Sequence, residues 1–184
     1  SRIGSALSLH HSVMDIPRAL EHFEAAERLL TSPATDYHLH RGRAQAAMTG
    51  LRTDLLEQAA TRAREIATSL DRPELTVVPH WALGWAAVNT GRLADGLAHW
   101  EAGWRTAHER SDAYLAWSPV NAAAMLLNVH LLDPAAARAW CRRGLGQPRL
   151  TSFVQPHDAV VDHLALALAA LGEVDDARAT ADRL

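Results

Sequence analysis

The sequence predicts an all-α protein made of repeated helical hairpins, and three observations support this fold class. Alanine and leucine supply most of the 48% hydrophobic content, and both are strong helix formers. β-branched residues rarely occur in runs, the longest being residues 76–78, so strands are not expected. Prolines and glycines fall at regular junctions between apolar-periodic segments, where helices begin or end.

Helical periodicity between these junctions predicts ten helices in five pairs. They are expected near residues 3–14, 16–31, 36–50, 54–70, 75–90, 93–109, 112–131, 134–146, 157–171 and 174–184. Asp15 with Pro17, and Asp133 with Pro134, are expected to start helices, and Thr53 and Ser111 are expected to be N-caps. Gly91 and Gly172 each follow a long periodic run and are expected to end a helix.

The second helices of the pairs carry a repeated set of side chains on one face. A small residue recurs at a nearly constant interval, at Ala19, Ala59, Gly96, Ala136 and Ala177. Four residues later come Phe23, Ala63, Trp100, Trp140 and Ala181, and three further on come Ala26, Ile66, Gly103, Arg143 and Leu184. The i, i+4, i+7 spacing keeps each set on one helix face. The alternative is an alanine-rich helical bundle without repeats.

The segment from residue 80 to 103 resembles a tetratricopeptide repeat (TPR). The family signature of a leucine–glycine pair, turn glycine, small residue, aromatic and second small residue is met by Leu83, Gly84, Gly91, Gly96, Trp100 and Gly103. The other copies are weaker, with Arg143 in place of a small residue and a longer turn expected between Gly50 and Ala59. The resemblance implies one TPR-like domain over residues 1–184, a right-handed α-solenoid of about five hairpins.

Long, degenerate repeats rich in alanine and arginine are similar to those of large bacterial regulators. Those proteins combine a signalling ATPase with a LuxR-type DNA-binding domain or a cyclase domain, and their repeats receive a ligand or partner signal. The chain starts and stops within helical segments, whereas solenoids end in polar capping helices. We therefore expect the chain to be part of a larger protein.

In the TPR family, the first helices of successive pairs line a concave groove. This resemblance places ten residues in the binding groove, namely Tyr37, His40, Trp81, Trp85, Asn89, Asn121, Met125, Asn128, Asp162 and Leu166. Trp81 and Trp85 are one helical turn apart and form an apolar shelf. The alternative is that both tryptophans pack in the core.

Composition excludes several function classes. A net charge of −3 and a pI near 6.4 argue against a nucleic-acid surface. All 18 basic residues are arginines, so neither a Walker A loop nor Schiff-base chemistry is possible. One cysteine, no signal peptide and no long apolar run predict a cytoplasmic protein that does not contact a membrane.

Metal and catalytic sites are not expected either. The histidine clusters at residues 10–11, 38–40 and 157–163 lack a complete set of ligands on one helix face. Cys141 lies near Arg138, Arg142, Arg143 and Arg149, which would lower a thiol pKa, but its place on a packed helix favours a structural role. No nucleophile elbow or glycine-rich phosphate loop is present.

The sequence therefore predicts a non-enzymatic protein–protein interaction module of a bacterial signalling or transcriptional regulator, without cofactors. Its partner would be a peptide or helix, or a neighbouring domain of the same chain. The alternative is a small-molecule effector sensor with a pocket around Trp81 and Trp85, which would need an enclosed cavity rather than an open groove.

Overall fold

All secondary structure in the described residues is helical, which confirms the predicted all-α class. The structure is a computed structural model that describes residues 15–29, 32–146 and 155–182. Its α-helices are α1 (Ile16–Glu27), α2 (Pro33–Thr49), α3 (Thr53–Ser69), α4 (Val77–Asn89), α5 (Leu93–Glu109), α6 (Ala113–Met125), α7 (Pro134–Leu145), α8 (Gln155–Ala170) and α9 (Val174–Ala181). The predicted helix at 3–14 lies outside the described residues.

Two short helical segments adjoin the α-helices. A 3₁₀ turn, Pro73–Thr76, precedes α4, and a π-helical segment, Leu126–His130, continues α6. The predicted boundaries otherwise differ from the observed ones by a few residues, and α5 was predicted without error.

Helix starts are capped by side chains at some of the expected positions. The Asp15 and Asp133 carboxylates accept hydrogen bonds from the backbone N–H groups of Arg18 (3.2 Å) and Ala136 (3.0 Å), as predicted. The predicted caps at Thr53 and Ser111 are wrong. Thr53 is the first residue of α3, and Ser111 is displaced from the cap because its φ of 56° belongs to the preceding turn, so Asp112 caps α6.

Several helices along the chain are followed by a residue in the left-handed conformation, with a positive φ. These residues are Leu51, Asp71, Gly91, Ser111, Leu132 and Gly172. The Gly91 N–H donates to the Val88 carbonyl, and the Arg92 N–H donates to the Ala87 carbonyl. This pair of hydrogen bonds is the Schellman arrangement. The turns at positions 51, 71, 91 and 111 are evenly spaced. Each helix together with its turn therefore spans the same number of residues in this part of the chain. The expected C-terminal roles of Gly91 and Gly172 are confirmed.

This turn spacing corrects the predicted repeat register. The residues five positions after the turns at 51, 91, 132 and 172 are Leu56, Gly96, Ala137 and Ala177, and all four are buried. Ala59 and Ala136, predicted as equivalents of Gly96, are therefore out of register by three positions and one position. The turn after Gly50 is not longer than the others, because Leu51 takes the same position as Gly91.

The shift by one position after α6 has a local cause in the π-helical segment. The turn at Leu132 comes one position later than the even spacing of the turns at 71, 91 and 111 would place it. The Asp133 N–H accordingly reaches back to the Leu127 carbonyl (2.9 Å), one position further than at the Schellman turns. A π turn absorbs an inserted residue without ending a helix. In α7, the buried position that requires a small residue is therefore occupied by Gly144. The predicted register had placed Arg143 at that position.

Helix contacts divide the chain into two compact units, residues 1–99 and 100–184. In the first unit, α2 packs against α3, α3 against α4, and α2 also against α4. In the second unit, α6 packs against α7, α7 against α8, α8 against α9, and α6 also against α8. Within each unit, helices that are consecutive in the chain thus pack against each other, and one pair of next-but-one helices is also in contact.

Small residues allow close approach where these helices meet. A Cβ placed on Gly96 would lie 2.6 Å from Val88 Cγ2 and 3.1 Å from the Gly84 carbonyl oxygen. One apolar cluster of the first unit contains Leu56 and Leu83, whereas that of the second contains Val120, Cys141 and Val160. Trp100, the aromatic residue of the repeat signature, is fully buried.

Candidate functional site

The ten predicted groove residues fall equally into the two units. Tyr37, His40, Trp81, Trp85 and Asn89 belong to the first unit, and Asn121, Met125, Asn128, Asp162 and Leu166 belong to the second.

The α4 helix presents the two tryptophans that the sequence analysis singled out. One face of α4 buries Ala82, Leu83 and Ala86. Trp81 and Trp85 are each only partly buried, and Trp85 packs at the margin of the cluster around Leu83. Neither tryptophan is fully enclosed, although the Trp85 Nε1 atom is buried, and the exposed Asn89 lies one turn beyond Trp85.

Tyr37 lies within the helix packing of the first unit. Its side chain is 2% exposed, and its hydroxyl donates to the Leu75 carbonyl at 2.7 Å. Burial raises the pKa of the Tyr37 hydroxyl, although the charge of Arg41 opposes this effect. The hydrogen bond ties α2 to the 3₁₀ turn before α4, so Tyr37 positions α4 rather than presenting a contact to solvent.

His40 is also largely buried, at 8% exposed. Its Nε2 lies 3.1 Å from the Asp36 carboxylate, whereas its Nδ1 has no hydrogen-bond partner among the described residues. Burial lowers the pKa of the His40 imidazole, and the Asp36 carboxylate only partly opposes that shift. The neutral ring thus donates to Asp36 and leaves a lone pair at Nδ1.

In the second unit, the π-helical segment changes the face on which Asn128 lies. Asn128 is 9% exposed, and its Nδ2 donates to the His163 carbonyl on α8 at 2.9 Å. Asn121 and Met125 on α6 are only partly buried. A regular helix would place all three on one face, but the wider π turn rotates the residues that follow Met125, so the sequence spacing could not place Asn128.

Asp162 and Leu166 are both exposed on α8, and they are one turn apart. Leu166 is 49% exposed, so it adds an apolar contact surface on this helix. Of the ten predicted residues, the structure therefore buries three and leaves seven at least partly accessible.

Two clefts lie on the first unit, one between α1, α2 and α3 and the other between α2 and α3. One, of ≈ 440 Å³, is lined by charged and polar residues that include His40, Arg43 and Arg62. The other, of ≈ 530 Å³, lies beside Asp36, Arg62 and Ile66. Neither is lined by Trp81 or Trp85, so neither is the enclosed tryptophan pocket that a sensor would require.

The structure brings together two histidines that sequence reasoning missed. His80 on α4 and His99 on α5 face each other, with their Nδ1 atoms 3.3 Å apart and ring centroids 5.6 Å apart. Burial lowers the pKa of both imidazoles, that of His80 to about 4, and the charge of Arg64 adds to the effect. The pair is far apart in the sequence and matches no motif, because only the α4–α5 packing creates it.

We expect the stability of the protein to fall as the pH drops from 6.5 towards about 4, the native pKa of His80. In this window the unfolded chain protonates these histidines while the native pair resists protonation, so protons favour unfolding. Urea unfolding followed by far-ultraviolet circular dichroism at stepped pH would measure this. The double variant His80→Asn/His99→Asn should show a shallower decline, whereas the exposed His38→Asn should behave as the wild type. An unchanged slope in the double variant would contradict this assignment.

Two of the arginines near Cys141 make local contacts. Arg138 donates to Glu173 at 2.6 Å, and Arg143 pairs with Glu101. The Arg143 guanidinium lies 5.2 Å and 5.1 Å from the ring centroids of Trp104 and Trp140, within range of cation–π attraction. Arg149 lies outside the described residues.

Cys141 itself is fully buried. Burial raises the pKa of its thiol to about 12, so the thiol stays protonated at neutral pH and is a poor nucleophile. The expected structural role of this residue is therefore favoured by its environment.

The described residues contain no group of three or more potential metal-ligating side chains. His38 is exposed and His40 buried, and the side chain of His157 lies outside the described residues. Within the described ranges, no helix combines the length and apolarity needed to cross a membrane.

No protein-family model matches the chain, and no curated protein matches it either. Among solved structures, the chain is similar to the crystal structure of BtubC (BKLC) from P. vanneervenii, with a TM-score of 0.80. The match covers 98% of this chain and 76% of that chain at 16% sequence identity. At this identity the likeness concerns the fold alone.

Proposed function

We propose that the chain is a TPR-like α-solenoid that acts as a non-catalytic protein-interaction module, binding a peptide or helix through the tryptophans of α4. The observation that carries the proposal is the pair of partly exposed indoles, Trp81 and Trp85, one turn apart. Aromatic side chains of this kind dominate binding energy at protein interfaces.

The solenoid part of the proposal is supported by the turn spacing and by the helix contacts within each unit. Evenly spaced Schellman turns produce hairpins of equal length. The contacts between α2 and α4, and between α6 and α8, join the first helices of consecutive hairpins, as stacked repeats require.

The binding mode we propose is apolar contact at the indoles, with Asn89 fixing the register of the bound segment. An amide at the rim of an apolar shelf can both donate to and accept from a peptide backbone. A bound helix would place apolar side chains at i and i+4 against the shelf. We propose that the chain belongs to a larger bacterial signalling or transcriptional regulator. This part of the proposal is based on the resemblance of its long, degenerate, alanine- and arginine-rich repeats to those of such regulators.

We expect peptides selected on the chain from a random displayed library to depend on both tryptophans. Trp81→Ala and Trp85→Ala should each weaken binding by about tenfold or more, as substitutions of interface tryptophans do. Fluorescence polarisation of the labelled peptides would measure the affinities, and circular dichroism would verify that each variant remains folded.

Leu29→Ala is the matched control, because Leu29 is a large apolar residue in the same unit that is 63% exposed. It should leave peptide affinity within about twofold of the wild type. Peptides that bind equally well to wild type and both tryptophan variants would refute the proposed site. Quenching by small metabolites without peptide binding would favour an effector sensor instead.

A further inference from the structure

We propose that His80 and His99 form a binding site for a divalent transition-metal ion, with Zn²⁺ as the representative ligand. This inference is independent of the proposed peptide-binding function, because it rests on the two imidazoles facing each other across α4 and α5. Imidazole nitrogen is a preferred ligand for Zn²⁺ and for the neighbouring transition metals.

The separation of the two nitrogens suits a shared metal ion. The Nδ1 atoms are 3.3 Å apart. Two nitrogens bound to one tetrahedral Zn²⁺ at roughly 2.0–2.1 Å would themselves be roughly 3.3–3.4 Å apart. Both Nδ1 atoms point towards the space between the rings, since they also satisfy hydrogen-bond geometry, so a metal could take the place of the shared proton.

The two ring nitrogens can each offer a lone pair to a metal ion. Metal ligation requires a neutral imidazole whose coordinating nitrogen carries no hydrogen. Without a metal, one Nδ1 must carry a hydrogen for the pair to be attractive. With a metal, both Nδ1 lone pairs are used, and each Nε2 carries the hydrogen.

Charged groups from α3 and α5 act on the site in opposite directions. Glu57 on α3 and Asp95 on α5 place negative charge near His99, whereas Arg64 and Arg92 place positive charge there. Arg92 is paired with Glu57 at 2.8 Å, which leaves Asp95 and Arg64 as the main opposing charges. Asp95 is exposed and lies one helical turn before His99, on the same face of α5.

Water would complete the coordination sphere, because the described residues bring no third histidine, cysteine or carboxylate to the pair. Such a site has open positions, as catalytic zinc sites do, and binds more weakly than a four-ligand structural site. We therefore expect an exchangeable ion, bound with a dissociation constant on the order of micromolar.

Calorimetric titration of the chain with Zn²⁺ tests the proposal. We expect one ion to bind at this site, and His80→Asn or His99→Asn to weaken its binding at least about tenfold. His38→Asn, which removes an exposed histidine of the same unit, should bind as the wild type does. Absence of Zn²⁺ binding by the wild type would overturn the proposal, as would retention of full affinity by both variants.

Thermal unfolding with and without Zn²⁺ provides a second readout that separates binding from misfolding. An ion that binds only the native state raises the melting temperature. The wild type and His38→Asn should gain stability in Zn²⁺, whereas the folded double variant His80→Asn/His99→Asn should not. An equal gain in the double variant would place the ion elsewhere and refute this site.

Discussion

Replacing Trp117 with alanine is expected to lower the free energy of unfolding by about 3–5 kcal/mol. The indole of Trp117 is fully buried, so the substitution leaves a large cavity within the second unit. It also removes the hydrogen bond that Trp117 Nε1 donates to the Gly144 carbonyl at 3.0 Å. Urea unfolding followed by far-ultraviolet circular dichroism would measure the loss.

Trp117→Phe separates the two contributions and remains measurable if the alanine variant does not fold. Phenylalanine retains most of the apolar contact but cannot donate a hydrogen bond, so the buried Gly144 carbonyl loses its donor from the indole. We expect this variant to lose about 1–3 kcal/mol. A loss below about 1 kcal/mol for Trp117→Ala would contradict the position of this side chain in the core.

The sequence was sufficient to predict the all-α class and the two helix ends that glycine marks. Gly91 and Gly172 each occupy a left-handed position with a φ of 80°, where glycine carries no steric penalty. Leu51, Asp71 and Ser111 adopt similar conformations but have no comparable sequence signal. The even spacing of the turns was therefore visible in the sequence only where glycine occupies the turn.

The register of the fourth hairpin could not be predicted because of one inserted residue. The π-helical segment Leu126–His130 has no recognisable sequence pattern, and apolar periodicity does not reveal a local change from an α to a π turn. Since alanines occupy several consecutive positions of α7, both Ala136 and Ala137 satisfied the expected pattern. Only the observed turn at Leu132 distinguishes them.

The candidate site was predictable to the level of helix faces but not of individual contacts. The spacing of Trp81 and Trp85 placed them one turn apart on one helix but left groove and core positions open, and the structure leaves both only partly buried. The burial of Tyr37 depends on a hydrogen bond to residue 75, which is distant in sequence. Similarly, the facing of His80 and His99 depends on how two helices pack, which composition and periodicity do not specify.

Gly144→Val is expected to lower the free energy of unfolding by about 2–3 kcal/mol through overpacking. A Cβ on Gly144 would lie 2.8 Å from Val120 Cγ1 on α6 and 3.4 Å from Val160 Cγ1 on α8. Since Val120 and Val160 are themselves fully buried, neither side chain can move away without disturbing the core. Urea unfolding, with the midpoint and slope compared to the wild type, would measure the effect.

Gly146→Val is the matched control, two positions further along the chain. Gly146 is exposed, and among the described residues a Cβ there would meet only the Arg142 and Arg143 carbonyl oxygens, at the ordinary distance of 3.5 Å. We expect this variant to change the free energy of unfolding by no more than about 0.5 kcal/mol. Equal stability of the two valine variants would show that α7 does not approach its neighbours closely at Gly144. A selective loss at Gly144 would instead support the register that the inserted π-helical residue imposes on this hairpin.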